Sequence, residues 1–361
     1  MEDEEVKINN NEELNNSNKY LKKVTLLNFN NSIEIKSTFR EIRTLKSIYK
    51  KSIYLNQCLD IKLKQKSSTT EIEYYYNNEN NIDLYTLIKS SIFDYREQRY
   101  LVKWMLFQVL KGLETLHSLN IIHRNLNPKT ILISSQGDIK LTEFSNSIND
   151  IEAKFVSDKI KGELCYIAPE ILSFYIINNK IDLWNVGILM LELYYKKTNI
   201  LKFPETDNIN NYSQKFFMQL KLLSNYFKIP FNLNYSENIN QNEELIDWLK
   251  NAKIEQEKFN EILEDNPEIG NEGIELLKRL LDLNPRQRIT AKEALKMEYF
   301  NEFQSFNVDQ YKKNKSKSNN SDLPIFLKNL EKEFQKVDAY PFDKKIEIFK
   351  KEINNIFEKK A

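Results

Sequence analysis

His123-Arg124-Asn125-Leu126-Asn127-Pro128-Lys129-Thr130-Ile131-Leu132 is the stretch on which the reading of this 361-residue chain turns. Short strand-type runs surround it: Ile121–Ile122 before it, then Ile131–Ile133 with Ile139–Leu141, turned by Gln136-Gly137. Upstream, Leu106, Val109, Leu110, Leu113 and Leu116 recur on one face of a long helix. Farther upstream, β-type runs at Lys23–Leu27, Leu59–Leu63 and Glu71–Tyr76 flank one helical stretch, Ser37–Ile48. Downstream the pattern predicts helices over 182–196, 244–264 and 272–283, and Thr290 with Glu293 forms a capping-box start for another.

Composition bounds the function. Lys plus Arg number 53 against 52 Asp plus Glu, a balance that leaves no basic footprint for nucleic acid or an anionic membrane. Cys58 and Cys165 are too few for a disulfide framework or a four-cysteine zinc site. The acidic start Met1-Glu2-Asp3-Glu4-Glu5 carries no apolar run, and Val186–Tyr195 is interrupted by Glu192. The expectation is a soluble protein of the cytoplasm or nucleus. There are six glycines, and the first is Gly112. A glycine-rich phosphate cradle is therefore excluded from the first 111 residues, because that device needs backbone without a Cβ.

The quoted stretch resembles the catalytic loop of protein kinases, and further landmarks follow in order. Thr142-Glu143-Phe144-Ser145 stands where an Asp-Phe-Gly motif is expected, and Ala168-Pro169-Glu170 is an intact Ala-Pro-Glu motif. Asp182-Leu183-Trp184-Asn185-Val186-Gly187 looks like the start of the buried central helix, and Arg288 sits where the family's arginine pairs with Glu170. Phe39-Arg40-Glu41-Ile42 resembles the αC helix with Glu41 as its ion-pairing glutamate. Lys22 matches the β3 lysine, with Lys23 as the alternative register. Pro128 follows the serine/threonine branch, and the αC wording leans toward cyclin-dependent-kinase-like relatives.

The resemblance implies an α+β, bilobal protein-kinase-like fold with a small β-rich N-lobe and a larger helical C-lobe. The expected organisation is a polar extension over 1–14, a kinase-like domain over 15–300 and a charged helical tail over 301–361. Within the domain the N-lobe runs to about 87 and the C-lobe over about 88–300. The glycine-loop hairpin is expected to be reduced or missing, since only 21 residues precede Lys22. In the tail, Ile346, Phe349, Ile353 and Ile356 form an apolar seam suited to a docked or partner-binding helix.

Position by position, the resemblance implies lost chemistry. Asn125 stands where an aspartate takes the substrate hydroxyl's proton, a role worth about 10²–10⁴-fold. Asn127 replaces the lysine that supports the transferring phosphoryl group, and Thr130 the asparagine that binds a second magnesium ion. Glu143 keeps a carboxylate but adds a methylene, which leaves it a weak metal candidate; Ser145 replaces the motif's glycine. Tyr20, or Leu21 in the Lys23 register, falls where a small alanine faces adenine.

Lys22 and Glu41 are the candidate nucleotide-binding residues. Arg124, Phe144, Glu170, Asp182 and Arg288 are assigned to the scaffold. His123 reads as a packed core histidine and Cys165 as a small filler. These substitutions lead to the expectation of an inactive serine/threonine-protein kinase, a pseudokinase and not an enzyme. It would act as a protein-binding scaffold through its tail helices, without cofactor, nucleic acid or membrane. The alternative is a weakly active or unorthodox ATP-dependent kinase using Mg or Mn. A small-molecule phosphotransferase is disfavoured by Ala168-Pro169-Glu170.

Overall fold

The structure, a computed structural model, describes residues 20–27, 31–65, 70–77, 81–89, 99–134, 137–155, 161–174, 177–201, 215, 218–219, 222–223 and 267–304. The extension over 1–14, the helix expected over 244–264, and the linker and tail helices beyond 304 lie outside the described residues. The chain divides into two compact units.

In the first unit, strands β1 (Tyr20–Leu27), β2 (Cys58–Gln65) and β3 (Thr70–Asn77) form an antiparallel sheet with β3 in the middle. Helix α1 (Ser32–Ile48) buries Ile35, Ile42, Leu45 and Ile48. The apolar period predicts its start at Ser37. The helix begins five residues earlier, because Asn31 Oδ1 accepts the orphan backbone N–H groups of Ile33 and Glu34 at 3.1 and 3.4 Å. Between Cys58 and Asp60 the register slips in a bulge. Cys58 is a free, buried thiol, pushed up to about 12 by its burial.

In the second unit, helix α3 (Arg99–Ser118) buries Leu106, Val109, Leu110, Leu113 and Leu116 completely. Its Gln108 fastens the neighbouring hairpin, donating to Gly137 O at 2.8 Å and accepting from Ile139 N at 3.0 Å. That hairpin, β6 (Ile131–Ile133) with β7 (Ile139–Leu141), joins β4 (Ile82–Asp83) in one sheet, and α2 (Leu84–Lys89) follows β4 directly. Strand β5 (Ile121–Ile122) pairs instead with β8 (Ile148–Asn149), which the sequence pattern does not predict.

Short helices α4 (Asp150–Phe155) and α5 (Pro169–Phe174) precede α6 (Lys180–Tyr195), which is buried from Ile181 to Tyr194. A Cβ at Gly187 would lie 2.5 Å from Leu281 Cδ2, so only glycine admits this close approach to the end of α7 (Gly270–Leu280). Helix α8 (Ala291–Ala294) starts at the Thr290–Glu293 capping box, with Glu293 N donating to Thr290 Oγ1 and Thr290 N to Glu293 Oε2.

Candidate active site

Strand β1 alternates its side chains, so Lys22 and Lys23 point to opposite faces of the sheet. Lys23 Nζ meets Glu41 Oε1 at 2.9 Å; Lys22 Nζ goes to Glu73 Oε1 at 3.1 Å. The Lys22–Glu41 register is therefore corrected: Lys23 is the partner of the α1 glutamate. Glu41 is nearly enclosed, and an enclosed carboxylate requires a charged neighbour. Leu21 shares Lys23's face, so this register sets leucine where the resemblance asks for alanine. On the other face burial would raise Glu73, but hydrogen bonds from Lys64, Tyr75 and Lys22 outweigh it and hold the carboxyl at about 2.

In the second unit Asp182 organises the loop from beneath. Fully buried, it accepts His123 N at 2.9 Å, Arg124 N at 3.0 Å and His117 Nε2 at 2.9 Å. These bonds hold Arg124 in the left-handed region at φ 64°, where a non-glycine residue is strained. The Arg124 guanidinium donates to Asn146 O at 3.3 Å. His123 Nε2 lies 3.0 Å from Thr142 O, and its Nδ1 accepts from Asn125 N at 3.3 Å. Both nitrogens are thus satisfied by backbone, and burial pulls the ring's pKa down, which keeps it neutral. Its ring meets Phe144 edge-on at 5.5 Å.

The loop's substituted positions bind one another. Asn127 Nδ2 donates to Asn125 O at 3.0 Å and to Asn125 Oδ1 at 3.2 Å, while Asn127 Oδ1 accepts from Lys129 N at 2.9 Å. Thr130 Oγ1 accepts from Asn127 N at 3.1 Å and lies 2.9 Å from Asn125 O. Pro128–Thr130 is a short 3-10 turn capped by Asn127. Asn125, Asn127 and Thr130 therefore form a closed hydrogen-bonded set in place of two charged groups and a metal-binding amide.

Glu143 occupies the left-handed region at φ 63°, ψ 62°, at the head of the 3-10 turn Phe144–Asn146 that contains Ser145. Farther along, Gly162 runs at φ +88°, and a Cβ there would lie 2.7 Å from Asn125 Oδ1. Glycine thus brings the segment leading to Ala168-Pro169-Glu170 against the loop. That segment is tied down twice. Arg288 grips Glu170 through Nη1 to Oε1 at 2.6 Å and Nη2 to Oε2 at 2.9 Å, both side chains fully enclosed. Tyr166 OH donates to the Glu192 carboxylate at 2.8 Å. Burial raises Glu192 to about 7. Cys165 is a buried thiol in no disulfide, and its Sγ lies 3.2 Å from Asn199 Oδ1.

Sequence reasoning passed over Glu192, Lys129 and Glu163. Glu192 carried a signal, since a carboxylate inside an apolar run must be bonded or protonated. The other two form an ion pair at 2.8 Å, Lys129 Nζ to Glu163 Oε1, and lie on no apolar period that would mark them.

Among the described residues no group of three His, Cys, Asp or Glu side chains gathers as a metal cage. A magnesium ion carried by nucleotide phosphates needs only one or two protein carboxylates. Glu143 fits that requirement. Thr130 does not, because its hydroxyl is committed within the loop.

The enclosed Arg288–Glu170 pair and the Asp182-anchored loop organise the second unit, and the Lys23–Glu41 pair ties β1 to α1 in the first. A protein kinase domain family matches residues 7–300, and the chain belongs to it. Mitogen-activated protein kinase 10 of Arabidopsis thaliana is 29% identical over 294 residues, covering 78% of this chain and 66% of the relative. Mitogen-activated protein kinase 1 of Oryza sativa subsp. japonica is 28% identical over 282 residues, covering 75% and 63%. Mitogen-activated protein kinase 6 of Arabidopsis thaliana is 27% identical over 285 residues, covering 76% and 64%. The chain thus spans slightly less than two thirds of these relatives' lengths.

The expected α+β kinase class stands, with a sheet-bearing first unit and a helical second. The expectation that the chain is not an enzyme is overturned: the kinase family covers most of it, and these relatives are named as kinases. No helix among the described residues is long and apolar enough to cross a membrane.

Proposed function

We propose that the chain is an ATP-dependent serine/threonine protein kinase with an unorthodox catalytic loop and slow turnover. The observation that carries this is the Lys23–Glu41 ion pair at 2.9 Å. An ammonium fixed by a nearly enclosed carboxylate is a rigid point charge for phosphate, worth more than a free surface lysine. Glu143 would hold magnesium, which, when bound, spreads the charge of the phosphates. Asn125 could hydrogen-bond a substrate hydroxyl and orient it, and it cannot take its proton. Positioning alone contributes a large share of phosphoryl-transfer catalysis. Protein substrates are supported by the pinned Ala168-Pro169-Glu170 segment, and the serine/threonine preference by Pro128. The similarity to mitogen-activated protein kinases supports a reading within the protein kinases and lends none to the cyclin-dependent-kinase-like leaning.

A thermal-shift titration of the full chain with ATP, with and without Mg²⁺ or Mn²⁺, tests the nucleotide arm. Metal-dependent stabilisation, lost in Lys23→Met and reduced in Glu143→Ala, is expected. Its absence at millimolar ATP overturns the proposal.

A further inference from the structure

The proposed phosphoryl transfer lacks a base at position 125 and a cation at position 127, and within the second unit one carboxylate–ammonium pair is carried by residues adjoining the backbone that contacts those amides. Lys129 is two residues beyond Asn127, on the 3-10 turn that Asn127 caps. Glu163 is the residue after Gly162, whose missing Cβ lets the backbone run against the Asn125 amide. Their side chains meet at 2.8 Å and bridge the loop to the segment that ends in Ala168-Pro169-Glu170. Resting on the kinase reading above, we infer that Glu163 is the base and Lys129 the cation of this kinase, in place of the loop positions that lost them.

Three observations carry the assignment. First, Asn125 and Asn127 are amides, which take no proton, and the Thr130 hydroxyl is bonded to Asn125 O, so positions 125, 127 and 130 offer no base. Second, Glu163 stands at the N-cap of the 3-10 turn Leu164–Tyr166, where carboxylates ordinarily accept backbone N–H groups, yet it makes no cap bond. It is turned to Lys129 instead. Third, the pair is open to solvent, Lys129 at 53% and Glu163 at 39%, while the scaffold pair Arg288–Glu170 is at 0% and 1%. An exposed pair adds little to stability but is reachable by a substrate. Its hydrogen bond with Glu163 raises Lys129's pKa and keeps the ammonium charged.

The step balances as follows. The substrate hydroxyl oxygen forms a bond to the γ-phosphorus, and the bond from that phosphorus to the bridging oxygen breaks with its electron pair leaving on ADP. The hydroxyl proton passes to the free carboxylate oxygen of Glu163 and later to water. Lys129 keeps its proton throughout and offsets the negative charge of the transferring group.

Phosphate transfer from ATP is measured with the full chain for wild type, Lys23→Met, Glu163→Gln, Glu163→Asp, Lys129→Met and the double variant Glu163→Gln/Asn125→Asp. In Glu163→Gln, kcat is expected to fall about 10²-fold with KM for ATP unchanged. Glu163→Asp should retain part of the rate, and Asn125→Asp in the Gln background should restore transfer; the melting temperatures stay level. Lys129→Met should lower kcat as well. Wild-type kcat in Glu163→Gln overturns this inference and leaves the kinase reading standing. Wild-type transfer no greater than that of Lys23→Met overturns both.

Discussion

Arg288 lays two guanidinium nitrogens on the two carboxylate oxygens of Glu170, 118 positions away, at 2.6 and 2.9 Å. The same guanidinium donates from Nε to Asp282 O at 2.9 Å and stacks 5.2 Å over the Trp184 ring. A planar fork that meets both carboxylate oxygens while also reaching Asp282 O and Lys180 O is a geometry lysine cannot reproduce. Removing one partner leaves the other charge buried and unpaired, so Glu170→Ala should cost about 3–5 kcal/mol. Denaturant unfolding followed by fluorescence checks this; a loss below 1 kcal/mol would remove the pair from the scaffold.

The split between Lys22 and Lys23 separates two functions of one strand. Lys23→Met should abolish the ATP-dependent thermal shift, which is worth about 2.7 kcal/mol at a hundredfold excess over Kd. Lys22→Met should leave it intact, because Lys22 pairs with Glu73 on the opposite face. Equal loss in both variants would contradict the register.

Glu143 sits at φ 63°, a region that aspartate visits more readily than glutamate, and its extra methylene displaces the carboxylate. Glu143→Asp should therefore raise the rate of transfer, by up to about 10²-fold if displacement is the main defect. Steady-state kinetics at saturating magnesium read the change, and an unchanged or lower rate would show that the longer side chain is the fitted one.

Glu192, which Tyr166 bonds, couples the segment leading to Ala168-Pro169-Glu170 to pH. Burial raises its carboxyl from 4.5 to about 7 in the folded chain, so the native state holds a proton that the unfolded chain has released. Stability is present in full below about pH 4.5 and falls as pH rises toward 7, by about 3 kcal/mol, then levels. Glu192→Gln should flatten that slope, as seen in urea midpoints across the range. A slope unchanged in the variant would assign it to other groups.

Much of the fold was legible because its signals are local. The stripe from Leu106 to Leu116, the Ile131–Leu141 hairpin and the Thr290–Glu293 capping box each lie within one turn or one helix face. What escaped depended on tertiary context. Val24 and Leu26 are as apolar as Leu27, so alternation alone could not say which face of β1 is inward; the structure exposes the first two and buries the third. The same ambiguity put Lys22 for Lys23. At the site, the identities of Asn125, Asn127 and Thr130 were readable, but their closure into one hydrogen-bonded set was not. Glu163 and Lys129, 34 positions apart, carry no periodic signal and are joined only by the fold.

The central claim is that this chain transfers phosphate. The most direct measurement is incorporation of radiolabelled γ-phosphate from ATP into serine or threonine of a protein substrate, or of the chain itself. It is run with Mg²⁺ and with Mn²⁺, beside Lys23→Met. Slow, metal-dependent incorporation by the wild type, absent in Lys23→Met, is the predicted result. Incorporation by the wild type no greater than that of Lys23→Met under either metal would contradict it.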